Sequence, residues 1–469
     1  MMGTISDKLM RIINTKEDIR QALISKGYDV PTSIPFKEYA KMISDLPCKV
    51  DDFPKLPGDV TRWHFGGLTN EMMAAMDDPR IEDADGKGRF LSFKNFAWKE
   101  GSGISDVYPG ALVFDGVDDC GVCDNFPILT KEKGYTVVVL RQWISMGEGI
   151  SGLVSNVKNW FNDGAFVLEY NSNNATNKFV NRPVSFGHVS IEMDLPNNFT
   201  YQTSKSYKGV PITTGSFKGT NSLFVGKLNN IIGNCSNVAI WELVFLDHDA
   251  TEEELTKIKD YFVKTYPWLF PDKAWTVTGK TNEDEDRATI ANITGNGNDL
   301  VLSNFGFAEG SGYNEEGEYA GYLVTDGVDD KIISSIFKMG NDWTVIGDWE
   351  LINTGKNDNA GIVKFDSIVI YNYNYNSMLI NIKNGRNILI PDQNTVNAIC
   401  SDGRIYSKDW KESIYNEETE STSKNFLTIG YSGNTYTKIA FKNLAIYPTV
   451  LSREDCIKAY NYLQTLKAK

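Results

Sequence analysis

Two stretches of this chain are near copies of each other, and they decide the fold. Asp115-Gly116-Val117-Asp118-Asp119 follows a short apolar run, and Asp326-Gly327-Val328-Asp329-Asp330 follows another. Upstream of them, Asn95–Gly103 and Asn304–Gly312 share the pattern Asn-Phe-x-x-x-Glu-Gly-Ser-Gly. The matching stretches keep their order along the chain. One unit has therefore been duplicated.

The correspondence continues downstream of the acidic stretches. Three further apolar stretches match in the same order: Tyr135–Val139 with Trp343–Gly347, Leu223–Gly226 with Leu427–Gly430, and Glu242–Phe245 with Asn443–Ile446. Their spacing drifts only slightly, which indicates small loop insertions and deletions. The two copies are predicted to span residues 57–270 and 271–469, with Pro267–Lys273 as the link between them.

Each copy is predicted to consist mainly of β-strands. Its runs alternate with period two, so that Trp343 and Val345 fall on one face and Thr344 and Ile346 on the other. Each copy closes with a short helix, because Thr251 and Ser452 precede acidic residues at capping distance. A unit of this size with many short strands favours a two-sheet sandwich or jelly roll over a small barrel. The fold class is therefore mainly β, with two tandem jelly-roll β-sandwiches.

The first fifty residues differ from the rest and are predicted to form a helical leader. Apolar side chains recur there at helical spacing. Two or three short helices expose more apolar surface than so small a unit can bury alone, so residues 1–50 are predicted to attach to a partner or to oligomerise. The candidate attachment residues are Ile12, Ile13, Ile19, Leu23, Phe36, Tyr39 and Ile43.

Composition excludes several classes of function. The chain of 469 residues carries a formal charge of −14 and has no dense Lys/Arg cluster, so nucleic acids and anionic membranes are poor partners. No stretch approaches the ~18 apolar residues of a membrane span, and the start lacks an apolar signal region. Synthesis in a cytoplasm without membrane insertion is therefore expected. Six cysteines in so long a chain are read as free thiols, including the Cys120 and Cys123 pair, which strand alternation points to opposite faces.

The two copies resemble the laminin-G-like, concanavalin A-type family. The resemblance lies in a strand ending in Phe114–Asp119, a late strand of the Leu223–Gly226 type, and the strand Val238–Phe245 that leads into a capped helix. It covers nearly all of residues 58–469, and its motifs occur twice. It implies two concanavalin A-like (LamG-type) sandwiches.

The leader resembles leaders on structural proteins of tailed bacteriophages, including crAss-like phages. The resemblance rests on Arg11–Ala22, Lys26-Gly27 and Pro35–Ala40. It implies a virion structural appendage, a head or tail fibre or decoration protein, assembled in the host cytoplasm. The implied partners are other virion proteins, namely capsid, portal or neck, or tail, together with further copies of the chain in a dimer or trimer.

The duplicated acidic stretch is the candidate metal site. Hard Ca²⁺ prefers clustered carboxylate and carbonyl oxygens. The alternative is a tight turn in which a carboxylate accepts hydrogen bonds from local amides while glycine supplies a positive φ. The residues concerned are Asp115, Asp118 and Asp119 in the first copy and Asp326, Asp329 and Asp330 in the second.

No catalytic residues are predicted, and the chain is not expected to be an enzyme. The rival hypothesis is a polysaccharide-degrading glycosidase, because concanavalin-type sandwiches host paired carboxylates on one strand. Its candidates are Glu192 with Asp194, and Glu242, but none recurs in the second copy, and a solvated strand face is expected for them. His64, His188 and His248 are spread far apart, which disfavours a triad or a zinc site.

Aromatic side chains are the candidate ligand-binding residues, since rings stack on sugar faces. Trp98 and Phe307 occupy matched places beside the Gly-Ser-Gly turns, and Tyr371, Tyr373 and Tyr375 alternate along one predicted strand. The alternative is that these tyrosines belong to the core or to a subunit contact. The predicted function is attachment with binding to a surface, for example a bacterial surface glycan. A purely architectural capsid decoration is a further alternative.

Overall fold

The computed structural model describes most of the duplicated region. The chain divides into two compact units, Met1–Lys55 and Leu56–Lys469. Of the leader, only Lys16 is described, in a helix, so the candidate attachment residues lie outside the described residues. The described segments are 16, 52–145, 150–158, 164–171, 178–182, 189–192, 199–207, 210–211, 219–229, 235–352, 361–365, 368–373, 377–382, 386–390, 396–414, 427–432 and 435–468.

The first copy forms two eight-stranded sheets. With strands numbered along the chain, the first sheet has the order β14 (Val210–Pro211), β13 (Ser206–Tyr207), β12 (Phe199–Thr203), β7 (Thr136–Ser145), β16 (Asn237–Leu246), β5 (Leu112–Asp115) and β4 (Gly103–Ile104), with β1 (Val60–His64) also paired to β16. The second has the order β11 (Val189–Glu192), β10 (Lys178–Arg182), β9 (Val167–Asn171), β8 (Ile150–Ser155), β15 (Leu223–Val225), β6 (Cys120–Cys123), β3 (Phe90–Lys94) and β2 (Arg80–Glu82).

The second copy repeats this arrangement strand for strand. Its first sheet has the order β30 (Glu412–Ile414), β29 (Arg404–Ser407), β28 (Val396–Cys400), β23 (Thr344–Leu351), β34 (Ile439–Tyr447), β21 (Tyr322–Val324) and β20 (Gly312–Asn314), with β17 (Lys273–Thr276) also paired to β34. Its second has the order β27 (Arg386–Ile390), β26 (Ser377–Ile382), β25 (Ile368–Tyr373), β24 (Gly361–Phe365), β31 (Leu427–Ile429), β22 (Lys331–Ser334), β19 (Leu300–Ser303) and β18 (Thr289–Ile290).

The identical strand order confirms the duplication predicted from the sequence, and the mainly β fold class is confirmed with it. Pairing between the described strands of the four large sheets is antiparallel throughout. A two-stranded ribbon, β32 (Tyr431–Ser432) with β33 (Thr435–Tyr436), adds to the second copy. In each copy the core lies between the two sheets, and it draws apolar residues from both.

A few helices accompany the strands: α1 (Asn70–Ala74), α2 (Glu252–Thr265) and α3 (Arg453–Gln464), with a 3-10 turn at Pro267–Leu269. Thr251 forms a capping box with Glu254, and Ser452 accepts a hydrogen bond from the Asp455 amide, as the sequence predicts. Among the described residues, no helix is both long enough and apolar enough to cross a bilayer.

The long strands β16 and β34 occupy the centre of each first sheet and are buried on both faces. Val238, Ile240, Leu243 and Phe245 of β16 enter the core between the sheets. The opposite face is covered too, because every residue of β16 after Asn237 is buried. Continuous burial explains why these strands are almost wholly apolar rather than strictly alternating.

The outer face of β16 carries one buried ion pair, which corrects the expectation for Glu242. That residue is not on a solvated face: its Oε1 accepts a hydrogen bond from Arg62 Nη1 at 2.8 Å, and both side chains are fully buried. Its other oxygen accepts a hydrogen bond from the Tyr266 hydroxyl at 2.8 Å, while Arg62 also reaches the Tyr261 hydroxyl at 3.1 Å. The pair ties β1 and β16 to α2 and to the residue that follows it.

The segment between the two sandwiches is structured. Trp268 and Leu269 are buried, and the Tyr447 hydroxyl of β34 donates a hydrogen bond to the Trp268 carbonyl at 3.0 Å. Beyond α3, Thr465 Oγ1 accepts a hydrogen bond from Gln142 Nε2 of β7 at 3.0 Å. The C-terminal helix region of the second copy therefore contacts the first copy.

The ion pair can be tested against the second copy, which lacks it. By strand register, Ala274 and Asn443 stand where the first copy has Arg62 and Glu242. We expect Arg62→Ala to lower the free energy of unfolding by about 3–5 kcal/mol, because it leaves a buried carboxylate unpaired. The double variant Arg62→Ala/Glu242→Asn should recover at least about 1–2 kcal/mol of that loss.

Urea denaturation of the full chain, followed by tryptophan fluorescence, measures both effects. Lys257→Ala is the control, since this exposed lysine forms a surface ion pair with Glu253 on the same helix face. A double variant no more stable than Arg62→Ala would show that the unpaired Glu242 carboxylate is not the cause of the lost stability.

Candidate functional site

The first acidic turn follows β5 and is organised around one carboxylate. Asp115 Oδ1 accepts hydrogen bonds from the amides of Val117 at 2.7 Å and Asp118 at 3.2 Å. Gly116 has a φ of +78°, and a Cβ there would approach Asn237 Cβ to 2.9 Å. Asp119 is buried and accepts from Ser102 Oγ at 3.1 Å and from the Asp115 amide at 3.0 Å. The glycine and the two carboxylates therefore fix the turn.

The second acidic turn repeats these contacts. Asp326 Oδ1 accepts from the amides of Val328 at 2.8 Å and Asp329 at 3.2 Å. Asp330 Oδ2 accepts from Ser311 Oγ and from the Asp326 amide, each at 2.8 Å. The hydrogen-bonded turn proposed as the alternative to a metal site is therefore present in both copies.

The same residues still offer oxygens to a cation. In each turn, one potential ligand atom from each of the three aspartates lies within 4.8 Å of the others. Asp118 and Asp329 are exposed, and Asp330 Oδ1 is buried without a hydrogen-bond partner among the described residues. Burial raises the pKa of Asp119 and of Asp330 to about 6. The residues fit Ca²⁺, more closely in the second copy, and calcium binding stays a prediction.

Each turn presents an apolar tip to solvent. Val117 is 76% exposed and Val328 is 71% exposed, although both sit between carboxylates. An isolated exposed valine is ordinary, but the same tip occurs in both copies of the unit. The chain therefore displays two matched tips.

Trp98 and Phe307 adopt the same unusual backbone conformation. Their φ values are 50° and 49°, in the left-handed region that bulky residues seldom occupy. Trp98 stacks on Phe96 with ring centroids 5.0 Å apart, and the Arg287 guanidinium lies 5.1 Å from the centre of the Phe307 ring. Both rings are half-buried against the core, so part of each is committed to packing. Ligand binding by these rings stays a prediction.

The three candidate tyrosines are only partly described. Tyr371 and Tyr373 both belong to β25. Tyr375 lies outside the described residues.

The candidate residues of the glycosidase hypothesis do not form a pair of neighbouring carboxyl groups among the described residues. Glu242 is held by Arg62, and Asp194 lies outside the described residues, although Glu192 belongs to β11. The Nε2 atom of His248 lies 3.0 Å from Glu254 Oε1, beside the N-terminus of α2, and His64 is exposed. His188 lies outside the described residues.

The five described cysteines are free thiols, as expected, and all are buried. Burial raises the pKa of Cys120 and Cys123, which suits inert core thiols. Cys400 of β28 and Cys456 of α3 are neighbours in the core, and the Cys456 thiol lowers the pKa of Cys400. Nothing in the sequence indicated this pair, because the two positions are far apart along the chain.

The turn and the metal site can be separated by mutation. Asp326→Ala should lower the free energy of unfolding by about 1–2 kcal/mol without added metal, since three amides lose their acceptor. Asp329→Ala should lower the free energy of unfolding by less than about 0.5 kcal/mol, because the Asp329 side chain is exposed and accepts none of the hydrogen bonds that hold the turn.

Calcium titration by calorimetry, with thermal unfolding in calcium and in a chelator, measures the metal contribution. We expect calcium to raise the Tm of the wild-type chain and to raise it less in Asp329→Ala, which removes one ligand of the second turn and leaves the first turn intact. An identical Tm in calcium and chelator for the wild-type chain would contradict the metal site and leave the turn as the sole role.

No protein-family model matches the chain, and no curated protein matches it. Among solved structures, Trypanosoma rangeli sialidase in complex with sialic acid matches at 9% identity over 82% of this chain and 68% of that chain, with a TM-score of 0.31. The same sialidase with a difluoro-KDN ligand matches at 11% identity and a TM-score of 0.33, over 55% of this chain and only 40% of that chain.

A structure of botulinum neurotoxin type C, whose cell entry depends on interaction with two ganglioside molecules, also matches. The identity is 11% over 79% of this chain and 95% of that chain, with a TM-score of 0.31. These likenesses are distant and concern the β-sandwich fold alone.

Proposed function

We propose that the chain is a non-catalytic binding protein that presents two copies of one β-sandwich to a surface. One observation carries the proposal: the same strand order, acidic turn and exposed tip occur twice within one compact unit. Two equivalent sites on one body bind a repetitive surface more tightly than either site alone, through effective concentration.

The ligand class that suits these modules best is a glycan, for example on a bacterial surface. Exposed ring surface at Trp98 and Phe307, and the tyrosines of the β25 region, would stack on sugar rings, while calcium at the acidic turns would bind hydroxyl groups. The acidic net charge of −14 disfavours nucleic acid as the partner.

The place of action that we propose is a virion. The support is the resemblance of residues 1–50 to leaders of tailed-phage structural proteins. On this proposal the leader docks on capsid, portal or neck, or tail proteins, or assembles the chain into a dimer or trimer. The two sandwiches then act as a head or tail fibre or decoration.

Binding and hydrolysis can be compared in one experiment. The full chain should bind members of a glycan array and release no reducing ends from capsular or plant polysaccharides. Release of reducing ends that disappears in Glu192→Gln would establish a glycosidase instead. Array silence combined with tight binding to a capsid or neck protein would favour a purely architectural decoration.

The leader assignment has its own test. Deletion of residues 1–50 should reduce the assembly to a monomer, measured by native mass spectrometry, and should abolish incorporation into virions. The matched control replaces Lys16, a polar residue of the leader, by Ala and should assemble normally. Unchanged assembly and incorporation after the deletion would remove the leader from the proposal.

A further inference from the structure

A cleft of about 420 Å³ lies where the two sandwiches meet the connecting segment. This volume falls within the range of small-molecule binding sites. Its walls come from both copies, from the segment between them and from both closing helices. The side chains that matter for the argument are Phe199, Lys259, Phe270, Asp272, Asn296 and Tyr462.

The walls of the cleft are held in place by hydrogen bonds. The Asp272 amide donates to the Ile446 carbonyl at 2.8 Å, and Asn296 Nδ2 donates to the Asp272 carbonyl at 3.0 Å. Thr294 Oγ1 donates to the same carbonyl at 2.9 Å. A ligand entering a site that is already ordered loses less conformational entropy, which favours binding.

Three aromatic side chains line the cleft. Phe199 is half-buried and meets the Phe262 ring edge-on, with centroids 5.9 Å apart. This contact fixes the orientation of the Phe199 ring. Phe270 is also half-buried, and Tyr462 contributes a buried ring. A lining that combines aromatic rings with a few polar groups suits a ligand ring that has an apolar C–H face and polar edges, which is the character of a pyranose.

The charged side chains that line the cleft are Lys259 of α2 and Asp272. This lysine is exposed, and no hydrogen bond or ion pair of its side chain is found among the described residues. By contrast, Lys257 on the same helix is paired with Glu253 at 2.7 Å. The carboxylate of Asp272 lies 3.6 Å from Lys273 Nζ and 3.3 Å from Asn296 Nδ2. The group left to receive an anion is the Lys259 ammonium.

The duplication shows that the helix does not require this lysine. Counting from the matched caps Thr251 and Ser452, Tyr460 of α3 takes the place of Lys259 of α2. The cation is therefore particular to α2.

We propose that the cleft binds a carboxylate-bearing sugar residue, with its ring against Phe199 and its carboxylate at Lys259. The proposal rests on the surface-binding function proposed above and names a site for it that neither the acidic turns nor the Gly-Ser-Gly aromatics provide.

The test uses the full chain and two pairs of free sugars; in each pair, one member has a carboxylate at C6 where the other has a hydroxymethyl group. Glucuronic and galacturonic acids are the anionic probes, and glucose and galactose are their neutral counterparts. Ligand-observed NMR at millimolar concentrations should detect at least one of the two acids, bound at least about tenfold more tightly than its neutral counterpart. Lys259→Ala should abolish that preference, and Phe199→Ala should weaken the acid and the neutral sugar alike.

Lys257→Ala is the matched control and should bind as the wild-type chain does, and thermal unfolding confirms that all variants are folded. Absence of binding by both acids, or unchanged preference in Lys259→Ala, overturns the proposal. The glycan array separates this failure from failure of the wider function. If Lys259→Ala still binds the array at full strength, the surface-binding function is supported and the cleft is not its site. If the wild-type chain binds no glycan on the array but binds an acid in the cleft, the cleft site is supported and the surface-binding function is not.

Discussion

The architecture depends on covering both faces of the two long central strands, β16 and β34. Each strand pairs with three neighbours and turns one face into the core between the sheets. The other face is buried as well, although it carries Glu242 in the first copy and Asn443 in the second. The closing helices meet this requirement: α2 does so through Tyr261 and the adjoining Tyr266, and α3 through its contacts with β23 and β34. A capped helix after the last strand is therefore part of the sandwich.

Given that constraint, the two copies show which features of the unit are fixed and which can vary. Trp63 and Trp275 are both fully buried and donate through Nε1 to the carbonyls of Arg89 and Asn298. The outer faces of the central strands, by contrast, carry an ion pair in one copy and Ala274 with Asn443 in the other. The core between the sheets depends on the packing of apolar side chains in both copies. The strand face beneath the helix can carry either an ion pair or neutral side chains, provided that it is buried from water.

Much of the fold was predictable because its signals are local. Alternation along Trp343–Ile346, the caps at Thr251 and Ser452, and the repeated acidic turns each depend on residues within a few positions of one another. The burial of Glu242 was not predictable, since alternation places it on an outer face but does not show that α2 covers that face. The cleft was missed for the same reason, because Phe199, Lys259 and Asn296 meet only through the packing of distant segments.

The structured segment between the copies has a practical consequence. Trp268 packs beneath Lys458 of α3, with the ammonium 4.5 Å from the centre of its ring, while Tyr462 and Leu466 of the same region are almost fully buried. Severing the backbone between Phe270 and Pro271 would leave these side chains without cover on two separate fragments. Each half would then expose a hydrophobic patch of the kind that drives self-association. Either sandwich expressed alone is therefore expected to aggregate unless polar substitutions are first made in its exposed patch.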